Sequence, residues 1–141
     1  MVRFSTASAM LIFVLAGSAP AQSPPAPSAA EAVVKDYTDA ANKSDLERFL
    51  SLYHPAVRKY RFSGQLASEG LAHNRQAYAK SFTANPDLHV EKLAVMTFGD
   101  KVVAYNRVTG LAGGKTADEI TAYQVENGLI TNIVYIERIG R

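Results

Sequence analysis

Residues 88–139 read LHVEKLAVMTFGDKVVAYNRVTGLAGGKTADEITAYQVENGLITNIVYIERI. Three turn signals divide this stretch: Gly99-Asp100, Gly113-Gly114 and Asn127-Gly128. Asn-Gly between apolar runs is a strong hairpin signal, because both positions of the tight turn need positive φ and these residues tolerate it. The spacing predicts four strands over 88–98, 101–110, 117–126 and 129–139. Strands joined by successive hairpins form an antiparallel meander.

Upstream the period changes from two to about 3.6 residues. Ser28 and Glu31 have the S-x-x-E spacing of a capping box, in which a hydroxyl and a carboxylate satisfy the free N–H groups of a helix start. The helix that follows places Val33, Val34, Tyr37, Ala40 and Ala41 on one face. After an Asn42-Lys43 corner, Ser44 and Glu47 repeat the box spacing. Leu46, Phe49, Leu50 and Tyr53 then make a second stripe, with Pro55 expected to end it. Val57 to Ser63 reads as a strand. A third helix is expected from Gly70 to Thr83, with Leu71, Arg75, Tyr78 and Phe82 inward and Asn85-Pro86 as its stop. The predicted class is α+β: a cone-like curved antiparallel sheet covered on one face by three N-terminal helices. A bent sheet wrapped round helices leaves a hollow at its open end.

The chain has 141 residues, 48% hydrophobic and 20% charged, which suits one globular domain. Its net charge of +2 falls to +1 without Arg3 (14 basic minus 13 acidic). That balance argues against a nucleic-acid partner, whose phosphates call for clustered Lys and Arg. Arg58-Lys59-Tyr60-Arg61 is the longest basic cluster and reads as a solvated strand. With no cysteine, thiolate metal sites, disulfides and cysteine nucleophiles are excluded.

Residues 1–21 have the form of an export signal. Arg3 is the positive end, Ala9 to Ala16 the apolar stretch, and Ala19-Pro20-Ala21 the small-residue cleavage site. The apolar stretch is far shorter than the ~20 residues that span a bilayer. Residues 22–28 form a Pro-rich tether, and 29–141 the domain. A periplasmic or secreted location is expected, without stable membrane insertion after cleavage. Asn42-Lys43-Ser44 matches a glycosylation sequon and reads as a chance match.

Four short motifs resemble those of the nuclear transport factor 2-like, or SnoaL-like, superfamily, in its steroid delta-isomerase-like bacterial subgroup. They are Tyr53-His54-Pro55-Ala56-Val57 running into Arg58-Lys59-Tyr60-Arg61-Phe62, then Asn85-Pro86-Asp87-Leu88-His89, Gly99-Asp100-Lys101-Val102-Val103, and Asn127-Gly128-Leu129-Ile130. The resemblance covers about 29–139 and implies the cone-shaped fold of cyclases and ketosteroid isomerases. Where that family often carries acids, this chain has Ile133-Val134-Tyr135, Ala104-Tyr105-Asn106 and His54-Pro55-Ala56.

Tyr37, Tyr60, Tyr78, Tyr105, Tyr123 and Tyr135 fall on elements expected to line the hollow. A tyrosine offers an apolar ring and one hydroxyl, which suits an apolar ligand with a single polar group. Tyr60, Tyr105, Tyr123 and Tyr135 are the candidate ligand contacts, each alternatively a core residue with its hydroxyl at the edge. His89 is a candidate general base and Tyr135 a candidate catalytic donor. Asp118 and Glu119 are expected to face water. His54, His73 and His89 lack metal-pair spacing, and no phosphate loop or nucleophile elbow occurs, so no metal or cofactor is expected.

Three functions remain open: an exported binding module for a small apolar molecule, an isomerase or cyclase moving a proton on a steroid-like or polyketide-like substrate, and a ligand-free dimerising domain. Apolar residues in both phases of the last strand predict a homodimer packed sheet to sheet. Cleavage after Ala21 predicts a mature chain beginning at Gln22. Intact-mass measurement on the periplasmic fraction checks it, and a full-length, membrane-bound species would refute it.

Overall fold

A computed structural model describes residues 27–140, so the expected export segment, the expected cleavage site and most of the expected Pro-rich tether lie outside the described residues. Helix α1 spans Ala29–Asn42. Ser28 Oγ accepts from the Glu31 N–H at 3.1 Å, as the capping spacing implies. The Glu31 carboxylate does not return to the cap. It accepts from Thr97 Oγ1 at 3.2 Å and so ties the helix start to the sheet. At the other end, Asn42 both donates to the Val90 carbonyl and accepts from its N–H, at 3.0 and 2.6 Å. The sequon asparagine is thus a clasp between helix and strand.

Helix α2, Leu46–Ser51, is only six residues long. Asp45 caps it, accepting from the Arg48 N–H at 3.0 Å, in place of the expected Ser44, which is in the left-handed region at φ 51°. Glu47 is engaged instead with Arg75. Pro55 does not end this helix, because the chain has already entered strand β1, Tyr53–Arg61. Pro55 lies where the pairing register jumps, from Tyr53 opposite Ile130 to Arg58 opposite Asn132. A proline is tolerated there because the ladder is already interrupted. A short strand β2, Leu66–Glu69, was not legible in the sequence and pairs antiparallel with β1.

Helix α3 spans Leu71–Ala84 and turns Tyr78 and Phe82 inward. Arg75 does not share that face, whereas Asn74 is buried and donates to the Gly70 carbonyl at 2.7 Å. The remaining strands are β3 (His89–Phe98), β4 (Lys101–Leu111), β5 (Lys115–Glu126) and β6 (Leu129–Gly140), joined by the three predicted turns. Among the described residues no helix is long and apolar enough to cross a membrane.

The six strands form one open curved sheet in the order β2-β1-β6-β5-β4-β3. The meander is antiparallel as expected, but β1 lies parallel to β6, so the sheet is mixed. A parallel pair needs a long crossover, which leaves no hairpin signal. Bulges bend the sheet. Thr131 and Ile136 are the unmatched residues of β6, and each resets the alternation of that strand. A third irregularity follows Val108 in β4. There Gly110, at φ 69°, comes so close to the Asp87 carbonyl that a Cβ would stand 1.8 Å from its oxygen.

The inner face carries Val57, Val102, Ala104, Tyr123, Val125, Ile130 and Ile133, packed on Val34, Tyr37, Phe49, Leu50 and Phe82 of the helices. On the outer face, Met96 and Phe98 are exposed at 66% and 85%.

Candidate functional site

Between the three helices and the inner faces of β3 to β6 lies a hollow of about 210 Å³. Its helical wall is Tyr37, Thr38, Phe49, Tyr78 and Phe82. Its sheet wall is Leu88, Val90, Asn106, Val108, Thr121, Tyr123, Ile133 and Tyr135, with Glu119 and Arg138 also lining it. Adjacent strands supply these groups because their inward phases coincide. Tyr135 points inward beside Thr121, its partner across the ladder, because the Thr131 bulge sets it in phase with Ile133, and the Ile136 bulge then places Arg138 opposite Glu119.

Lys59 sits next to this hollow and is 2% exposed. The expected solvated strand is corrected here. Lys59 has the same parity as Val57, whose side chain is fully buried, so period-two alternation carries the ammonium into the interior. Its Nζ donates to Tyr53 Oη at 2.7 Å and to Tyr78 Oη at 2.8 Å. It also stands 4.5 and 4.3 Å from the centres of the same two rings. None of the ion pairs among the described residues includes it.

The network extends from there. Tyr53 Oη lies 2.7 Å from Tyr37 Oη, and Tyr78 Oη lies 3.5 Å from Tyr135 Oη. Burial pulls Lys59 below the ordinary lysine range, with Tyr78 opposing. Burial alone would raise Tyr78. The charge of Lys59 and its hydrogen bond outweigh that and bring the phenol down to about 8. Burial pushes Tyr37, Tyr53, Tyr123 and Tyr135 well above the phenol range. The five tyrosines therefore divide into one that ionises early and four that hold their protons.

Two further polar atoms line the hollow, Asn106 Oδ1 and Thr121 Oγ1. Their residues are 2% and 1% exposed, and neither atom makes a hydrogen bond of good geometry, although the Tyr123 hydroxyl is near enough to interact with both side chains. Glu119 was expected in water. Its side chain is 17% exposed and lines the hollow, with Arg138 Nη1 at 3.9 Å from its Oε2. Asp118, the other half of that expectation, is buried on the opposite face. It accepts from Arg107 Nε at 3.0 Å and from Tyr105 Oη at 3.4 Å. Alternation sends neighbours to opposite faces: Glu119 lines the hollow, and Asp118 is buried on the outer face among the side chains of Arg107 and Tyr105.

Of the four candidate ligand contacts, the hollow brings together Tyr123 and Tyr135. Tyr105 belongs to the outer face, between inward Ala104 and Asn106. Tyr60 follows inward Lys59 and likewise stands outside the hollow. His89 is exposed, and its neighbours Leu88 and Val90 line the wall in its place. The sequence reading missed Lys59, Asn106, Thr121, Glu119 and Arg138. Val57 was the available signal for Lys59, since a buried strand residue fixes the phase of the position two along.

A family profile described as a SnoaL-like domain matches residues 34–133. A search of curated proteins gives no match. Among solved structures, the chain is similar to a cystatin-fold protein from Novosphingobium aromaticivorans, at 22% identity over 79% of this chain and 100% of that one, with a TM-score of 0.70. It is also similar to a SnoaL-like protein from Burkholderia thailandensis (20% identity, 83% and 100%, TM-score 0.65). A third is a computationally designed 17-OHP binder (17% identity, 82% and 100%, TM-score 0.66). At these identities the likeness is one of fold.

The chain has seven tyrosines and no tryptophan, so tyrosinate absorbance reports the network directly. One tyrosine should titrate at about 8. That step should vanish in Tyr78→Phe and move up in Lys59→Met. The sign for stability follows. A phenol depressed on folding adds stability as pH rises from its folded to its unfolded value, here between about 8 and 10. The four raised phenols remove stability above that range. A denaturation midpoint that falls steadily from pH 8 to 10 would contradict this assignment.

Proposed function

The chain belongs to the SnoaL-like domain family, and on that premise we propose that its hollow binds a small, mostly apolar molecule bearing one or two polar atoms. The observation that carries this is a pair of buried polar atoms without a hydrogen bond of good geometry, Asn106 Oδ1 and Thr121 Oγ1, among the aromatic and aliphatic groups of a wall that also carries Thr38, Glu119 and Arg138. An unsatisfied buried polar atom costs about 1–3 kcal/mol. A ligand that meets both atoms recovers that cost, which an apolar core filling would never have incurred.

Size narrows the class. Pockets for drug-sized ligands run about 300–1,000 Å³, and this hollow has about 210 Å³. One or two rings suit it better than the four of a steroid. The designed 17-OHP binder, by its name, places a ligand on this kind of fold.

Glu119 favours a second reading, proton transfer. A carboxylate at 17% exposure in the wall of the same hollow is placed to take a proton from a bound acidic C–H. His89 and Tyr135 were the catalytic candidates from sequence. Glu119 replaces His89 in this role because it, and not His89, lines the hollow.

A thermal-shift screen of one- and two-ring compounds tests binding, with Thr121→Val as the diagnostic variant. Removing the orphaned hydroxyl should stabilise the free protein by about 1 kcal/mol and weaken ligand binding. Stabilisation without any loss of binding would disconnect Thr121 from the ligand, and no shift across the screen would leave a ligand-free domain. Turnover that disappears in Glu119→Gln would replace the binding reading by the enzymatic one.

A sheet-to-sheet homodimer is part of the same proposal, supported by exposed Met96, Tyr105 and Ile120 on the outer face. Sedimentation equilibrium at micromolar concentration should give a dimer, and a monomer alone would oppose it.

A further inference from the structure

We propose that the hollow binds a cationic amine, a primary ammonium carried on a ring by a short chain, with its N–H groups directed at the Glu119 carboxylate, Asn106 Oδ1 and Thr121 Oγ1. This rests on the binding reading above and adds the charge and donor class of the ligand.

Strand register brings the acceptors together. Asn106 stands opposite Glu119 across β4 and β5, and Glu119 stands opposite Arg138 across β5 and β6. Side chains opposite one another in a sheet have Cβ atoms about 5 Å apart. Thr121 is two residues beyond Glu119 on the same face, about 7 Å along the strand. All four side chains line the hollow. The three acceptors therefore stand round a space that one nitrogen can fill.

Donors are short in this corner. Asn106 Oδ1 and Thr121 Oγ1 make no hydrogen bond of good geometry, although the Tyr123 hydroxyl is near enough to interact with both side chains. A phenol has one hydrogen, which cannot satisfy two oxygens. The Glu119 carboxylate accepts and does not donate. Its neighbour Arg138 holds Nη1 at 3.9 Å from Oε2, beyond hydrogen-bond distance, with its side chain 55% exposed. An ammonium has three hydrogens and no acceptor. It matches this set, whereas a hydroxyl or a carbonyl leaves acceptors unmet.

Charge gives the sign. Among the described residues Glu119 is the one carboxylate that lines the hollow. Burial is the main cause that raises Tyr123 and Tyr135 above the phenol range, and the Glu119 charge adds to it. The field of Glu119 thus reaches into the cavity. The Lys59 ammonium does not line it, being held behind the wall by Tyr53 and Tyr78. Arg138 is exposed enough to turn to solvent and leave Glu119 to the ligand. The ring then lies among Phe49, Phe82, Val108 and Ile133, beside aromatic faces that attract a cation.

Calorimetric titration near neutral pH with 2-phenylethylamine tests this, with 2-phenylethanol as the neutral counterpart and phenylacetate as the anion. The chain should bind the amine about tenfold or more tightly than the alcohol, the worth of a charge-assisted hydrogen bond, and phenylacetate most weakly. Glu119→Gln should bring amine and alcohol together, with circular dichroism and the thermal midpoint reporting its fold. Arg138→Gln removes the competing cation and should tighten the amine by up to about fivefold. Should Glu119→Gln fail to fold, Arg138→Gln and the ligand series decide the matter. Weaker binding of the amine in Arg138→Gln overturns the proposal. Equal affinity for amine and alcohol overturns the cation while leaving the binding reading intact. Tighter binding of phenylacetate overturns the amine class. If none of the three binds, the amine proposal falls, and the wider screen of one- and two-ring compounds decides the binding reading.

Discussion

An ammonium group carries hydrogens in every direction and no lone pair, so burying one fixes the sense of each hydrogen bond around it. Lys59 imposes that constraint on four separate elements. Through Tyr53 it holds its own strand, through Tyr78 the third helix, and through Tyr37 and Tyr135, one hydroxyl further out, the first helix and the last strand. The rings bearing those hydroxyls pack round Phe49, with centroids 4.3 Å away at Tyr37, 4.5 Å at Tyr78 and 5.5 Å at Tyr53. Desolvating the charge costs several kcal/mol. Cation–π contact, worth about 2 kcal/mol when desolvated, and charge-assisted hydrogen bonds offset part of it. The arrangement contributes orientation more than net stability. A Lys59 surrounded by aliphatic groups would leave the tyrosine hydroxyls free to point anywhere.

The sheet separates two kinds of polar chemistry by phase alone. Asp118 and Glu119 are neighbours in sequence and opposites in space. Asp118 joins Arg107 and Tyr105 in a satisfied cluster on the outer face, and Glu119 enters the hollow with Arg138 near it. On the inner face, Asn106 Oδ1 and Thr121 Oγ1 make no hydrogen bond of good geometry. The outer cluster is satisfied, whereas the inner face keeps two polar atoms without a hydrogen bond beside its own paired groups. Which side chains meet depends on where the bulges occur, because an extra residue at Thr131 decides that Tyr135 meets Thr121 across the ladder, and one at Ile136 that Arg138 meets Glu119.

Much of the fold was legible because turns carry local chemistry. Gly99-Asp100, Gly113-Gly114 and Asn127-Gly128 mark the meander, and the apolar stripes of the first and third helices lie where their spacing placed them. Local rules failed where partners are remote. Ser44 and Glu47 have the spacing of a capping box, yet Glu47 is drawn to Arg75 and Asp45 takes the cap. The pairing of β1 with β6 has no local signature at all. For the site, Tyr123 and Tyr135 were legible as inward aromatics, whereas Tyr60, Tyr105 and His89 each fell one position out of phase. Lys59 was misread because a run of basic residues suggests solvent more strongly than its parity with Val57 suggests burial. Nothing in a sequence without its contacts marks Asn106 and Thr121 as orphans.

The parallel pairing of β1 with β6 also governs the order in which the molecule can assemble. Four strands of the meander and both long helices have neighbours close in sequence and can begin to associate locally. The strand bearing Lys59 cannot complete its own pairing until the last strand of the six is present, because β6 lies between β1 and β5. Joining segments so far apart in the chain requires a large loop to close before any contact rewards it, which slows folding. Closure of the sheet and the meeting of Tyr78 with Tyr135 across the hollow therefore belong to the same late event. Until it occurs the chain has helices and a meander, but neither its aromatic cage nor its cavity.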